Sequence, residues 1–218
     1  MPKRNGTSVT SLTLATISTW RYKMDYFGTV RARCSIRAFQ TKPVEEEKIL
    51  RIIETVNLAP SAGDLQAYEM VVIKDRERKS ELARDAFGQS FIAEAPVCLV
   101  FLTCPERSAR KYGQRGSELY SIQDATIATT YAMLAATALG LASTWVGAFD
   151  TDAVAKTVEA PEGRRPIAIL PIGYAADCPQ VTPRRSIKEI VHSETLGKPY
   201  SFSFTDQSYQ RPIWKPSP

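Results

Sequence analysis

Arg33-Cys34-Ser35-Ile36-Arg37-Ala38-Phe39 places two guanidinium groups and a hydroxyl within five residues, directly ahead of a well-marked helix. In an extended segment side chains alternate, so Arg33, Ser35 and Arg37 project to one side while Ile36 and the helix beyond face a core. Guanidinium groups stay charged at any working pH and grip phosphate through paired hydrogen bonds, so the pattern suits an anionic cofactor. Taken alone, the spacing reads first as a solvated basic strand edge, and other stretches must carry the case.

Working outward, residues 43–57 read as a helix. Pro43 stands in the first turn, Glu45, Glu46 and Glu47 lie where the helix dipole favours anions, and Ile49, Ile52, Ile53 and Val56 recur at helical spacing. A loop announced by proline and glycine follows, Leu58-Ala59-Pro60-Ser61-Ala62-Gly63-Asp64-Leu65-Gln66. Residues 68–73 read as a β-branched strand, 79–87 as a short helix, and 97–103, entered through Pro96, as a fully buried strand. Asp124 sits at or just inside the start of a long helix that runs to about residue 138 and stops at Gly140. Beyond Thr130 that helix is apolar or small on every side, which predicts burial all round and close approach of another helix, within the subunit or across a dimer axis. Residues 142–148 read as a strand, 151–158 as a helix and 166–172 as a strand ending in Gly173, so the order indicates an α+β or three-layer fold.

Composition agrees with one globular domain plus appendages: 218 residues, 44% hydrophobic and 23% charged, suffice for one sizeable core. The formal net charge of +5 is modest and its basic residues are interspersed with acidic ones, so nucleic acid is not indicated as a partner. Cys34, Cys98, Cys104 and Cys178 contain no Cys-x-x-Cys pair and read as reduced thiols of a cytoplasmic protein. His192 is the single histidine, which leaves few candidates for a His-based metal site or hydrolase and favours chemistry carried by an organic cofactor. It reads as an ordinary surface histidine.

Residues 1–24 are Ser/Thr-rich and read as a flexible or loosely docked extension, because Thr and Ser interrupt the apolar run around residues 12–17 and Arg21 and Lys23 follow where a cleavage site would lie. The uncharged run 125–149 is diluted by Thr126, Thr129, Thr130 and Thr137 and broken by Gly140, so no membrane span is expected. Residues 198–218 carry Tyr200, Phe202, Phe204, Tyr209 and Trp214 among prolines, which predicts an extended arm packed on a partner subunit in an intertwined homodimer.

Four separated stretches together resemble the FMN-dependent nitroreductase family, over about residues 26–194. Residues 33–39 look like its Arg-x-Ser-x-Arg-x-Phe flavin segment, and Ala59-Pro60-Ser61-Ala62-Gly63-Asp64-Leu65-Gln66 is similar to its loop reaching the flavin of the neighbouring subunit. Leu139-Gly140-Leu141-Ala142-Ser143-Thr144-Trp145-Val146-Gly147 looks like its helix-to-strand passage beside the isoalloxazine. Leu170-Pro171-Ile172-Gly173-Tyr174 with Pro183-Arg184-Arg185-Ser186 resembles its closing strand and phosphate-binding arginine.

The resemblance implies a three-layer nitroreductase-like fold, with a central mixed, largely antiparallel sheet flanked by helices, in a domain of residues 25–197. It implies FMN contacts from Arg33, Cys34, Ser35, Arg37, Pro60, Ser61, Asp64, Gln66, Trp145, Val146, Gly147, Gly173, Arg184 and Arg185. Arg33 and Arg184 or Arg185 would face the phosphate, and Arg37 would stabilise the negative charge that develops near N1 and the C2 carbonyl on reduction. Ser35 would bond the ribityl or phosphate region, and backbone near Val146 and Gly147 would approach N5. The implied activity is ping-pong hydride transfer from NADH or NADPH, through FMN N5, to a small-molecule acceptor such as a nitroaromatic or quinone. No GxGxxG fingerprint is present, as expected if nicotinamide binds only transiently over the flavin.

Two departures stand out: Asp64 replaces a common asparagine, and Ala67-Tyr68 replace a Pro-Trp pair. An ionised Asp64 beside the flavin would oppose its reduction unless a cation offsets it, and otherwise Asp64 is a turn residue. Rival readings are other chemistry on the same scaffold, namely dehalogenation, azoline oxidation or flavin breakdown, and a non-catalytic FMN binder. The segment 104–117, with Arg107, Arg110, Lys111 and Arg115, is either a substrate lid or a solvated loop.

Overall fold

The computed structural model describes residues 24–177 and 182–201. In chain order they form α1 (Tyr26–Ala32), α2 (Glu46–Asn57), a 3₁₀ turn (Ala62–Asp64), β1 (Tyr68–Ile73), α3 (Arg76–Asp85), α4 (Phe91–Glu94) and β2 (Val97–Thr103). These are followed by α5 (Pro105–Arg115), a π-helical turn (Gly116–Tyr120), α6 (Ser121–Ala138), β3 (Ala142–Ser143), α7 (Thr151–Thr157), β4 (Pro166–Gly173) and α8 (Ile187–Ile190).

β2 is buried along its whole length, and its alternation divides the core. Val97, Leu99 and Phe101 turn to one face, where α2 supplies Ile49, Ile52 and Val56 and α6 supplies Ala128, Ala132 and Ala136. Cys98, Val100 and Leu102 turn to the other, against Leu82 and Ala83 of α3, Ile92 of α4 and Val154 of α7. Helices therefore cover both faces of a sheet with strand order β1-β2-β4-β3. This is the expected three-layer α+β architecture. All three strand pairings are antiparallel, and the parallel component is an isolated bridge from Ser35 to Ser143.

Several elements depart from the sequence reading for local reasons. α2 starts at Glu46, so Pro43 precedes the helix and does not occupy its first turn. Glu45, at the boundary, is held by the Tyr174 hydroxyl at 2.7 and 2.8 Å and by Lys48 at 3.6 Å, and the hydroxyl in particular keeps its carboxyl below the usual range. α3 starts three residues earlier than expected because the Asp75 side chain accepts the Arg78 N–H at 2.9 Å and caps it. β3 is two residues long and does not continue to 148. In the register that pairs Ser143 with Ile172, the next partner of Thr144 is Pro171, which has no N–H to give, and pairing resumes at Val146 and Ile169.

Within the single chain α6 is covered along one face. Ala125, Ala128, Thr129, Ala132, Ala136 and Thr137 form its covered face, whereas Tyr131, Met133 and Leu134 are half-buried and Thr126 is exposed. Its threonines return their hydroxyls to carbonyls one turn back, Thr129 to Ala125 at 2.7 Å and Thr137 to Met133 at 3.0 Å, which lets polar residues sit in an apolar helix. Among the described residues no helix is long and apolar enough to cross a membrane. His192 is half-buried and its Nδ1 has no partner among the described residues, so it is not an ordinary surface histidine. The expected extension 1–24, the arm 198–218 and Cys178 fall outside the described residues, apart from Met24 and 198–201.

Candidate active site

The 33–39 segment is pinned as an extra ribbon beside β3. The Ile36 N–H donates to the Ser143 carbonyl at 3.1 Å, and further along Gln40 N–H donates to Tyr174 O at 2.8 Å and Ala176 N–H to Ala38 O at 2.9 Å. Ile36 and Phe39 point into the core, Cys34 packs against the same cluster, Arg33 and Ser35 are half-buried and Arg37 is exposed. The expected alternation thus holds from 33 to 37. The Arg37 guanidinium lies 6.0 Å from the centre of the Phe91 ring.

On the neighbouring strand, Trp145 is half-buried, Val146 is buried and bonded both ways to Ile169, at 2.9 and 3.0 Å, and Gly147 is exposed. The buried hydroxyls of Ser143 and Thr144 have no hydrogen-bond partner among the described residues. One sheet edge therefore carries two arginines, a serine, two unsatisfied hydroxyls and accessible glycine backbone. That donor set fits an anionic, amide-rich group such as FMN.

The 60–66 loop is the second part of the site. Gly63, Asp64 and Gln66 all adopt left-handed backbone, with φ of 60°, 58° and 48°. Glycine adopts that backbone without strain, and a Cβ at Gly63 would also crowd the movable ends of the Tyr112 and Lys111 side chains. Within the loop, Ser61 Oγ accepts the Gln66 N–H at 2.9 Å, and the Gln66 amide reaches the Asn57 carbonyl at 3.0 Å. Asp64 and Pro60 remain exposed.

Two contributors to this loop escaped the sequence reading. Asp124, seen there only as a helix start, is 1% exposed and accepts Ala62 N–H at 2.9 Å and Ala67 N–H at 3.2 Å. The available signal was its isolation, since it is the single charge in α6. The segment 104–117 is α5 followed by a π-helical turn, with a break at Gly113, and is not a loop. Lys111 and Tyr112 lie against Gly63, and the Arg107 guanidinium donates to the Leu65 carbonyl.

α5 is tethered at its base by Arg164, whose side chain is 16% exposed. It bonds Glu69 at 2.9 and 3.2 Å and Glu106 at 2.6 Å. Burial, followed by donation to Glu106, pushes the Cys104 thiol up to about 11, and the paired glutamates raise the Arg164 guanidinium further. Because both glutamates are half-exposed, the network is partly screened. Arg164→Gln is expected to lower unfolding stability by about 1 kcal/mol, with a smaller loss at high salt, as read by urea titration.

Three other sequence candidates have surroundings of their own. Gly173 is buried, with Pro96 Cδ 2.6 Å and Phe39 Cδ1 3.0 Å from where a side chain would begin, so its place here is in strand packing. Arg184 is exposed, and Arg185 pairs with Glu189 of α8 at 3.4 Å. A groove of 610 Å³ between α3 and α7, lined among others by Arg78, Glu81, Arg84 and Glu159, shares no residue with these motifs. Its charges pair with one another, Arg78 with Glu159 and Arg84 with Glu81.

The family model described as Nitroreductase family matches residues 30–90 and 77–174. The chain belongs to the nitroreductase family. The matched ranges take in residues 33–39, 59–66, 139–147 and 170–174 and stop short of Arg184 and Arg185. Among curated relatives of this nitroreductase-family chain, the FMN reductase [NAD(P)H] of Bacillus subtilis is 32% identical over 176 residues, covering 74% of this chain and 70% of the relative. The oxygen-insensitive NADPH nitroreductase of Salmonella typhimurium is 27% identical, covering 72% and 69%. Among solved structures, the NADPH:FMN oxidoreductase from Vibrio harveyi complexed with NAD+ superposes with a TM-score of 0.73 at 26% identity, over 79% of this chain and 78% of that one.

Proposed function

We propose that this nitroreductase-family protein is a homodimeric, NAD(P)H-dependent FMN oxidoreductase that passes electrons by a ping-pong mechanism to small acceptors such as nitroaromatics and quinones. The observation that supports the reading is the pinning of the 33–37 segment against Ser143, three residues ahead of Val146, through the Ser35–Ser143 bridge and the Ile36 N–H bond to the Ser143 carbonyl. Relatives named as FMN reductases and NADPH nitroreductases support it.

FMN, when bound, supplies an N5 that accepts hydride from nicotinamide and returns it to an acceptor. Arg33 holds the phosphate, with Arg184 or Arg185 as a second cation if that segment closes on it, and Ser35 and Cys34 line the ribityl region. Arg37 would face the pyrimidine end, where its fixed charge would offset the negative charge of reduction. Trp145 would lie beside the ring system, and main chain at Val146 and Gly147 would address N5. Pro60, Ser61, Asp64 and Gln66 approach the flavin held chiefly by the other subunit, with Asp64 setting a negative charge against Arg37.

The test is the absorbance spectrum of the protein after FMN addition and desalting, repeated anaerobically with NADH and then NADPH. Retained flavin bands that bleach with at least one nicotinamide are expected. Retained bands that neither donor bleaches would leave a flavin binder without this activity, and no retained flavin would remove the cofactor assignment.

A further inference from the structure

Three of the four residues 63–66 are left-handed, two of them non-glycine, a conformation that costs about 1–2 kcal/mol per non-glycine residue and persists only where surroundings impose it. The internal bonds of the loop are those of an ordinary turn, Asp64 N–H to Ser61 O at 3.1 Å and Leu65 N–H to Ala62 O at 3.3 Å. The Ser61 hydroxyl closes that turn on the Gln66 N–H at 2.9 Å, and from outside the loop one buried carboxylate spans the strained stretch. Asp124 Oδ1 takes the N–H of Ala62, ahead of Gly63, and Oδ2 takes that of Ala67, just after Gln66.

Asp124 is 1% exposed and is in none of the ion pairs among the described residues, and its two carboxyl oxygens accept backbone amides at the two ends of one loop. Burying a carboxylate is costly unless such donors meet it, and a carboxylate is the side chain of this length with two acceptors for two N–H groups. An asparagine would turn an NH₂ toward one of those donors.

We propose that Asp124 is a positioning residue for flavin binding: it holds the 60–67 loop in the one shape that presents Ser61, Asp64 and Gln66 to FMN. The proposal rests on the reading of that loop as a flavin contact. It assigns Asp124 no contact with the flavin. Its effect passes through backbone, so it is separable from the stability that any buried hydrogen bond supplies.

The experiment measures FMN dissociation constants by quenching of flavin fluorescence, the visible circular dichroism of bound flavin, and melting of the FMN-free protein. It compares wild type, Asp124→Asn, Ala62→Pro and Asp75→Ala. Ala62→Pro deletes one of the two clamped N–H groups from the loop side, at a position that follows extended Ser61 and opens a 3₁₀ turn, where proline fits. Asp75→Ala removes a carboxylate cap on α3 away from the loop and reports the effect of lost stability alone.

Asp124→Asn is expected to weaken FMN binding about ten-fold or more and to change the flavin dichroism, with Ala62→Pro moving both the same way and Asp75→Ala moving neither. Wild-type affinity and dichroism in Asp124→Asn would overturn the proposal, as would a loss in Asp75→Ala that scales with melting as it does in the Asp124 variant. If Asp124→Asn does not fold, the Ala62→Pro arm decides: unchanged affinity and dichroism there overturn the proposal. A wild type that retains no FMN refutes the flavin reading itself, which is a distinct outcome.

Discussion

Alanine at both Arg33 and Arg37 is expected to raise the FMN dissociation constant by about 10²-fold or more, with the protein still folded. Each guanidinium would make hydrogen bonds to a charged or charge-developing group, worth about 1.5–3 kcal/mol, and each 1.4 kcal/mol is about ten-fold in affinity. Neither side chain is part of the core, which in this segment is made by Ile36 and Phe39, so thermal melting should fall by less than the equivalent of about 1 kcal/mol. The single variants should divide by role. Arg33→Ala weakens binding of oxidised FMN. Arg37→Ala leaves that binding nearer to wild type but makes the bound flavin harder to reduce, because its charge matters most after electrons arrive. Equilibrium dialysis and anaerobic potentiometry read the two effects, and a double variant that keeps FMN through desalting would end the assignment of this edge to the cofactor.

That edge was legible in sequence because its signal is local. Alternating Arg, Ser and Arg around a core isoleucine suit an extended ribbon with a charged face, and a short apolar run such as 97–103, rich in β-branched and aromatic residues and entered through Pro96, reads as a strand buried on both sides. The loop was legible as a loop but not as a shape. Its left-handed residues include Asp64 and Gln66, and the loop that carries them is bonded at Ala62 and Ala67 to Asp124 more than fifty residues away, so no window of local sequence contains both. The end of β3 failed for a similar reason, since the missing donor belongs to Pro171 on the adjacent strand. The segment 104–117 misled through composition, because four cations in fourteen residues suggest a solvated loop as readily as a helix whose cations lie on one side. The 1–24 and 198–218 segments lack periodicity, so composition alone guided those expectations.

Gly116→Ala is expected to separate the π-helical turn that follows the Gly113 break from the first turns of α5. Gly116 and Ser108 are both buried, and a Cβ at 116 would stand 2.6 Å from the Ser108 carbonyl oxygen and 2.7 Å from its carbon. Those atoms are backbone and cannot rotate away, unlike the side-chain ends that crowd Gly63, so the two passes of chain must separate at a cost of about 3 kcal/mol. Such a loss first appears locally, because α5 is fastened to the body at few points, among them Arg164 at its base and Arg107, Lys111 and Tyr112 on the 63–65 loop. Trypsin reads it directly, since Arg107, Arg110, Lys111 and Arg115 all lie in the helix. Cleavage there should accelerate about 10²-fold over wild type if opening tracks the lost free energy, while fragments covering β1 to β4 stay resistant. A separated α5 also releases its hold on Gly63 and Leu65, so KM for the nicotinamide donor should change with the rate of cleavage across weaker substitutions in the same segment. Equal proteolysis of Gly116→Ala and wild type would mean that the two passes are not held in contact in solution, and α5 would then have no fixed position from which to act on the loop.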